Sequence, residues 1–363
     1  MNDQHLHKFH IPVMGIAYTI DTPIKVASFG ITSALSIVED NLIEVMRKVY
    51  YKQNNEPYIP ISNREKDYRA RRITDYLNLV NKIVKKRVED LRNSSFEAGS
   101  DLARYFEMLP EASDLRKKYL QFLSTKEPEQ KSLIETELKK EIKAGAIEVN
   151  IMTKVDREMM DKEGNPVPEN SDALTALKGY AESDLENSSV VFSAGMNPRL
   201  FNYLEKFREF DAHGWGKFKK KIAIKVSDFR SALIQGKYLA KKGIWVSEFR
   251  IESGLNCGGH AFATQGTLMG PILEEFKSRK KELQESLFEM YNKSILALGL
   301  KGFEEPHPIK ITAQGGIGTH EEDQFLHNYY KVDSTGWGTP FLLCPEATTV
   351  DENTFKVLQK STD

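Results

Sequence analysis

IKITAQGGIGT (residues 309–319) joins a short run of apolar and β-branched residues to a glycine-rich turn. A run of this kind, bounded by glycines, is typical of a buried β-strand. The same order occurs earlier, in IWVSEFRIESGLNCGGH (244–260), and later, in VDSTGWGTPFLL (332–343). Helical patterns over 271–299 and 320–330 separate the three strands. Strands that alternate with helices through short connections predict a parallel sheet.

The strand–helix unit also repeats toward the N-terminus. Further strands are predicted at 10–18, 30–38, 146–156, 188–195 and 220–226. Eight such units in a row, without return hairpins, predict an α/β protein built as a (β/α)8 TIM barrel. The alternative is an open doubly wound sheet, which would carry its glycine loop after the first strand. Here the glycine loops come late in the chain, which favours the barrel.

Residues 63–145 interrupt this rhythm with helical patterns rich in charge. One face of the first helix repeats apolar residues at spacings of three and four: Ile73, Leu77, Val80, Val84, Val88 and Leu91. We therefore expect a helical insertion after strand two, with residues 1–62 and 146–363 forming the barrel. The insertion is interpreted as a solvated cap, with a partner-docking surface or an active-site lid as alternatives.

Composition narrows the class of protein. The net charge is −1, and basic and acidic residues interleave, so no nucleic-acid partner is expected. The two cysteines, Cys257 and Cys344, do not form a disulfide framework and suit a reducing cytosol. Neither a signal peptide nor an apolar run of about 18 residues is visible, so no membrane association is expected and a cytoplasmic location is predicted. The last predicted helix ends abruptly at Asp363, and we expect the natural chain to continue unless this boundary is artificial.

The turns after strands seven and eight predict an anion site. Gly315 and Gly316 lead into a helix, and glycine lets backbone N–H groups approach a phosphate closely. Gly338 and Thr339 add a further glycine and a hydroxyl after strand eight, and phosphates commonly dock at these two loops in barrels. The alternative is that the glycines only make tight turns.

His260 follows Gly258 and Gly259 at the end of strand six. An imidazole titrates near neutrality and can take a proton from a carbon acid or donate one, so His260 is the candidate acid/base. A purely structural hydrogen bond is the alternative, and covalent chemistry at Cys257 is disfavoured. His213 lies in a predicted loop and is interpreted as structural or exposed. No spacing of ligands for a metal is present.

With these motifs in hand, the sequence resembles the nitronate monooxygenase (2-nitropropane dioxygenase) family, whose barrel is shared by the FMN-dependent enoyl-acyl carrier protein reductases. GLNCGGH (254–260) is similar to the family's G-x-E-A-G-G-H, AQGGIGT (313–319) to its A-G-G-I loop and GWGTPFL (336–342) to its M-G-T-R-F-L. Shorter similarities are VMG (13–15), EVNI (148–151) and FSAG (192–195).

The resemblance implies FMN, with its phosphate held by Gly315, Gly316, Gly338 and Thr339. It places Met14, Gly15 and Asn150 near the flavin ring, with Gly258 and Gly259 close to it, and His260 at the substrate. Three positions depart from the family pattern, since Asn256, Cys257 and Pro340 replace its Glu, Ala and Arg.

The expected function is an FMN-dependent oxidoreductase that oxidises a small carbon-acid or nitronate-type substrate with O2. One alternative is an enoyl-thioester reductase with NAD(P)H as electron donor, although no GxGxxG fingerprint is visible. The other is a barrel that docks a partner within a lipid or polyketide assembly, through residues 63–145. A homo-oligomer is the alternative to a protein partner at residues 63–145.

Overall fold

The structure, a computed structural model, describes residues 6–15, 17–151, 156–193, 195–252 and 268–361. Within these ranges, eight parallel strands close into a barrel, which confirms the predicted α/β (β/α)8 TIM-barrel fold. The barrel strands are β1 (Phe9–Ile11), β2 (Thr32–Ile37), β3 (Ile147–Ile151), β4 (Ser188–Phe192), β5 (Lys220–Val226), β6 (Glu248–Glu252), β7 (Lys310–Gln314) and β8 (Ser334–Gly336).

Each barrel strand pairs with its neighbours in sequence, and β1 closes the ring against β8 through the pairs Phe9–Thr335 and His10–Gly336. Side chains alternate along each strand between the helices outside and the interior. On β6, Phe249 and Ile251 join the apolar core under the helices. Arg250 instead contacts Glu148 of β3, which is not a neighbouring strand, so this alternate face points into the barrel.

The described helices surround the ring. They are α1 (Thr22–Val26), α2 (Asp40–Gln53), α3 (Tyr68–Asn93), α4 (Asp101–Glu107), α5 (Asp114–Ser124), α6 (Pro128–Glu141), α7 (Asp172–Ala181), α8 (Pro198–Tyr203), α9 (Phe229–Ala240), α10 (Met269–Ala297), α11 (His320–Asn328), α12 (Thr339–Leu342) and α13 (Glu352–Lys360). Helix α2 begins at Asp40, because Glu39 caps it by accepting the amides of Asn41 and Leu42.

The long amphipathic helix predicted near residue 73 is α3, and all six predicted positions on its apolar face are buried. Its first half packs between α2 and α7 and contributes to the main core outside the barrel. Its last turns, at Val88 and Leu91, instead join a second core formed with α4, α5 and α6. The insertion therefore continues the helical layer of the barrel before it builds a core of its own.

Several predicted strands are shorter in the structure, and the first and the last change most. Strand β1 covers Phe9–Ile11 rather than 10–18, because Pro12 has no N–H to continue the ladder. Strand β8 covers Ser334–Gly336, and Thr339–Leu342 forms the short helix α12, not a strand, with Pro340 near its start. A return hairpin, which the sequence did not predict, also precedes β5, with strands Ala212–Gly214 and Lys217–Phe218.

Candidate functional site

A cavity of about 520 Å³ opens at the C-terminal ends of β6, β7 and β8. We call it the mouth cavity. Four residues predicted as a phosphate site from sequence line it together: Gly315, Gly316, Gly338 and Thr339. Glu252, Gln314 and Glu322 also line the mouth cavity. The C-terminal ends of barrel strands are where this fold places its reacting groups.

The turn after β7 has free backbone donors. Gly315 and Gly316 have φ angles of +89° and +72°, in the left-handed region that favours glycine. A Cβ added at Gly316 would meet nothing within 4 Å, so the backbone there borders open space. Among the described residues, the amides of Gly316 and Ile317 have no hydrogen-bond acceptor. Such N–H groups can bind an anion.

The start of α11 is already occupied by a carboxylate. Thr319 and Glu322 form a capping box, and Glu322 Oε2 accepts the amides of Gly318 at 2.7 Å and Thr319 at 3.0 Å. These two hydrogen bonds lower the pKa of Glu322, so the side chain is charged at neutral pH. The helix dipole that the sequence assigned to a bound phosphate is therefore partly used by the protein itself.

Met14 lies beside Gly338, which lines the mouth cavity. It is buried, and its Cγ and Sδ atoms come within 3.8 and 3.9 Å of an ideal Cβ built on Gly338. Gly15, the next residue, has a φ of +57°, and a Cβ there would come within 2.7 Å of the Tyr18 ring. The structure thus brings Met14 beside the β8 turn, whereas Gly15 serves a tight turn against Tyr18.

Asn150 is buried in β3, in register with Val191 of β4. It is not among the residues that line the mouth cavity, which β6, β7 and β8 form with the segment after β1. The predicted catalytic residue His260, with Gly258 and Gly259 and the departures Asn256 and Cys257, lies outside the described residues, in the range 253–267. Their roles stay predictions.

Polar side chains joined by hydrogen bonds form the floor of the mouth cavity. The sequence analysis did not predict this network. Gln314 donates its amide nitrogen to Glu252 Oε1, and Lys225 Nζ lies 3.5 Å from the same oxygen. Because the Gln314 nitrogen is the donor there, its oxygen accepts from His10 Nε2 at 3.2 Å. The sequence EFRIE (248–252) could have predicted it, because charged residues at every second position of a strand indicate a polar interior face.

A buried ion triad lies below this row. Arg250 donates to both oxygens of Glu148 at 2.6 Å and to Glu248 Oε1 at 2.7 Å, and Thr312 also donates to Glu248. Burial raises the pKa of Glu148 despite the opposing charge of Arg250. Burial acts in the same direction on Glu248, but the charge and hydrogen bonds of Arg250 outweigh it and hold the Glu248 pKa well below its usual range. The triad links β3 to β6 across the barrel interior.

No protein-family model matches the chain, and no curated protein matches it. Within the described ranges, no three histidine, cysteine, aspartate or glutamate side chains are placed to hold a metal ion together. None of the described helices has both the length and the apolar character needed to pass through a bilayer.

Proposed function

We propose that the protein is an FMN-dependent oxidoreductase of the nitronate monooxygenase type, acting on a small carbon acid. The observation that carries the proposal is the mouth cavity, where the glycine turns after β7 and β8 meet. The family resemblance of these turns and of residues 254–260 supports the choice of cofactor. The cavity volume of about 520 Å³ falls within the range of small-molecule sites, roughly 300–1,000 Å³.

The residues present fit a phosphate group on one side of the cavity. The amides of Gly316 and Ile317 are free to donate among the described residues, and Thr339 adds a hydroxyl from the other turn. The absence of a Cβ at Gly316 leaves the open space that a close anion needs. The carboxylates of Glu322 and Glu252 line the same cavity and repel the charge of a phosphate. The amide donors must compensate for this repulsion.

When bound, FMN supplies the transfer of electrons from the substrate and their delivery to O2. The chain would hold the phosphate at Gly316, Gly338 and Thr339, and Met14 would pack beside the β8 turn. Glu252 is fixed by Gln314 and Lys225, so the floor offers an oriented polar group rather than a mobile one. His260 would take the proton from the carbon acid, as its place in the sequence predicts.

Absorbance of the purified protein tests the proposal directly. We expect a yellow protein, or a colourless one that binds added FMN and quenches its fluorescence. Gly316→Ala should weaken FMN binding at least tenfold, because a methyl group would enter the open space and strain the backbone. The matched control is Gly99→Ala in the insertion, which has a φ of +75° and equally open surroundings. A protein that does not bind FMN would remove the proposal.

Activity separates the oxygenase from a reductase. We expect O2 uptake with an alkyl nitronate and no bleaching of the flavin by anaerobic NADH. His260→Ala should abolish O2 uptake while FMN stays bound. Bleaching by NADH, without a nitronate reaction, would instead assign the mouth cavity to an NADH-dependent reductase.

A further inference from the structure

A second cavity, of about 480 Å³, lies at the opposite end of the barrel. We call it the hairpin cavity. It is bordered by the hairpin before β5, by the end of α10 and by the loop that leads to β7, and the side chains used below are Asp211, Trp215, Tyr291 and Phe303. Segments that lead from a helix into a strand lie on the N-terminal face of the barrel, so this cavity is remote from the mouth cavity.

The walls of the hairpin cavity are held by specific hydrogen bonds. On one side, Gly216 donates its amide to His307 Nδ1 at 2.9 Å, and Trp215 donates its indole N–H to Pro306 O at 3.1 Å. Burial lowers the pKa of His307 to about 4, so the ring stays neutral and can accept this amide. On the other side, Asn292 bonds both backbone groups of Phe303. The cavity is therefore a built feature and not a gap between loose loops.

Tyr291 places an unused hydroxyl in this cavity. Its side chain is only 2% exposed, and its ring packs edge-on against Trp245 and His307. Among the described residues, the Tyr291 hydroxyl has no hydrogen-bond partner. The hydroxyl oxygen is not itself enclosed by protein atoms. It therefore faces the cavity, where it can bond a group that enters.

The charges around the cavity favour a cation. Asp211 borders it, and its negative charge adds to burial in raising the pKa of Tyr291. Asp211 pairs with Arg208, but that side chain is 70% exposed and such surface pairs contribute little. The C-terminal ends of α9 and α10 lie close by, at Ala240 and Ala297, and carry partial negative charge. Lys301 also borders the cavity, but it is exposed and water screens its charge.

The aromatic lining indicates the rest of the ligand. Tyr291 and Phe303 are stacked with centroids 6.5 Å apart, and Trp215, which is 53% exposed, also lines the cavity. Aromatic faces attract organic cations. We propose that the hairpin cavity binds a small aromatic or alkyl ammonium compound, whose N–H group meets the Tyr291 hydroxyl and Asp211. This site is independent of the flavin chemistry proposed for the mouth cavity.

The test uses three probes of similar shape and different charge, measured by calorimetry on the purified full chain at neutral pH. They are 2-phenylethylammonium, the neutral 2-phenylethanol and the anionic 3-phenylpropanoate. We expect the ammonium compound to bind at least fivefold more tightly than the alcohol, and the anion to bind most weakly. Equal affinities for the three probes, or no binding of the ammonium compound at millimolar concentration, would overturn the proposal.

Two variants locate the site. Tyr291→Phe keeps the ring and removes the hydroxyl, and Asp211→Asn removes the charge at the surface. Each should weaken binding of 2-phenylethylammonium at least threefold. The control is Tyr329→Phe, a half-exposed tyrosine just after α11, which should bind as the wild type does. Unchanged binding in both Tyr291→Phe and Asp211→Asn would place the compound elsewhere and reject this site. Melting curves show whether each variant is folded.

Discussion

Glu322 lowers the affinity for an anion at the α11 end of the mouth cavity. Its carboxylate accepts two amides, from Gly318 and Thr319, that would otherwise face a phosphate. The remaining donors, at Gly316 and Ile317, lie a few residues earlier in the same turn. A phosphate bound there would lie near the Glu322 charge and be repelled by it. The side chain therefore stabilises the helix at a cost to anion affinity.

Glu322→Gln should raise the affinity for FMN by roughly three- to tenfold, because it removes the nearby negative charge. Thermal stability should fall slightly, since the charged capping box is worth about 1 kcal/mol. Fluorescence titration of FMN measures the first effect and a melting curve the second. Glu321→Gln is the matched control, since it removes the same charge from the same helical turn outside the cavity wall. An affinity gain equal in both variants would contradict this role of Glu322.

The sequence identified the glycine turns but not the carboxylates. Gly315 and Gly316 were predictable because their position after a strand requires backbone freedom, and both have a positive φ. The positions of Glu252 and Gln314 on one floor follow from the register of β6 and β7, in which the two residues are paired. An alternating pattern shows that two faces differ, but not which residue on the next strand lies opposite. The contact of Glu322 was missed although Thr319 and Glu322 have the T-x-x-E spacing of a capping box.

At the scale of elements, Lys220 holds the end of α7 against the start of β5. The side chain is fully buried, and its Nζ donates to the backbone oxygens of Tyr180, Ala181 and Ser183. The Tyr180 carbonyl, in the last turn of α7, also accepts the amide and hydroxyl of Ser183. The carbonyls of Ala181 and Ser183 lie at and beyond the helix end, where Lys220 is the donor that reaches them. A positive charge at a helix C-terminus also interacts favourably with the helix dipole.

Lys220→Met should destabilise the protein by about 1–3 kcal/mol, because the variant leaves buried carbonyl oxygens without a donor. Methionine keeps the length and apolar stem of the side chain, so the loss reports the ammonium group. The midpoint of urea unfolding measures the change. Lys219→Met, at an exposed neighbouring position, should leave the midpoint unchanged. Equal midpoints for Lys220→Met and the wild type would show that water satisfies these carbonyls.

Element order was predictable, whereas some element boundaries were not. Buried strands such as β5 were located because an apolar run between turn residues has few other interpretations. Strand β8 was overextended because Phe341 and Leu342 continue the apolar pattern into α12. The hairpin before β5 was missed because its two strands cover only Ala212–Gly214 and Lys217–Phe218. Strands this short show no alternating pattern of apolar and polar residues. The hairpin also contacts His307, which lies far away in the sequence.

At the scale of the whole molecule, a charged layer separates the two ends of the barrel. The mouth cavity lies above it, and the triad of Glu148, Glu248 and Arg250 crosses the interior from β3 to β6. Sequence counting predicted eight strands, but it could not show that β3 and β6 face each other across a closed ring. That contact depends on closure between β1 and β8, which pairs residues more than 300 positions apart.

Arg250→Met tests what this layer contributes. Removing one member of a buried ion group leaves uncompensated charge, and we expect a loss of about 3–5 kcal/mol at pH 7. Without Arg250, burial raises the pKa of both Glu148 and Glu248 in the folded state. The folded variant then binds more protons than the unfolded chain above the usual carboxyl pKa, so its stability increases as the pH falls from 7 to 5. Denaturant unfolding at pH 7 and pH 5 measures the free energy of unfolding of the variant and of the wild type. A loss of stability that is the same at both pH values would contradict this role of Arg250.

The triple variant Glu148→Gln, Glu248→Gln, Arg250→Met separates charge from shape. It removes all three charges and keeps similar side-chain volumes, so most of the lost stability should return, as expected when a buried ion group is replaced as a whole. If the triple variant stays as unstable as Arg250→Met, the layer contributes packing and hydrogen bonds that neutral side chains cannot replace. FMN titration of the same variants measures whether the triad affects cofactor affinity. The triad lies below the mouth cavity, so a folded triple variant should bind FMN as the wild type does.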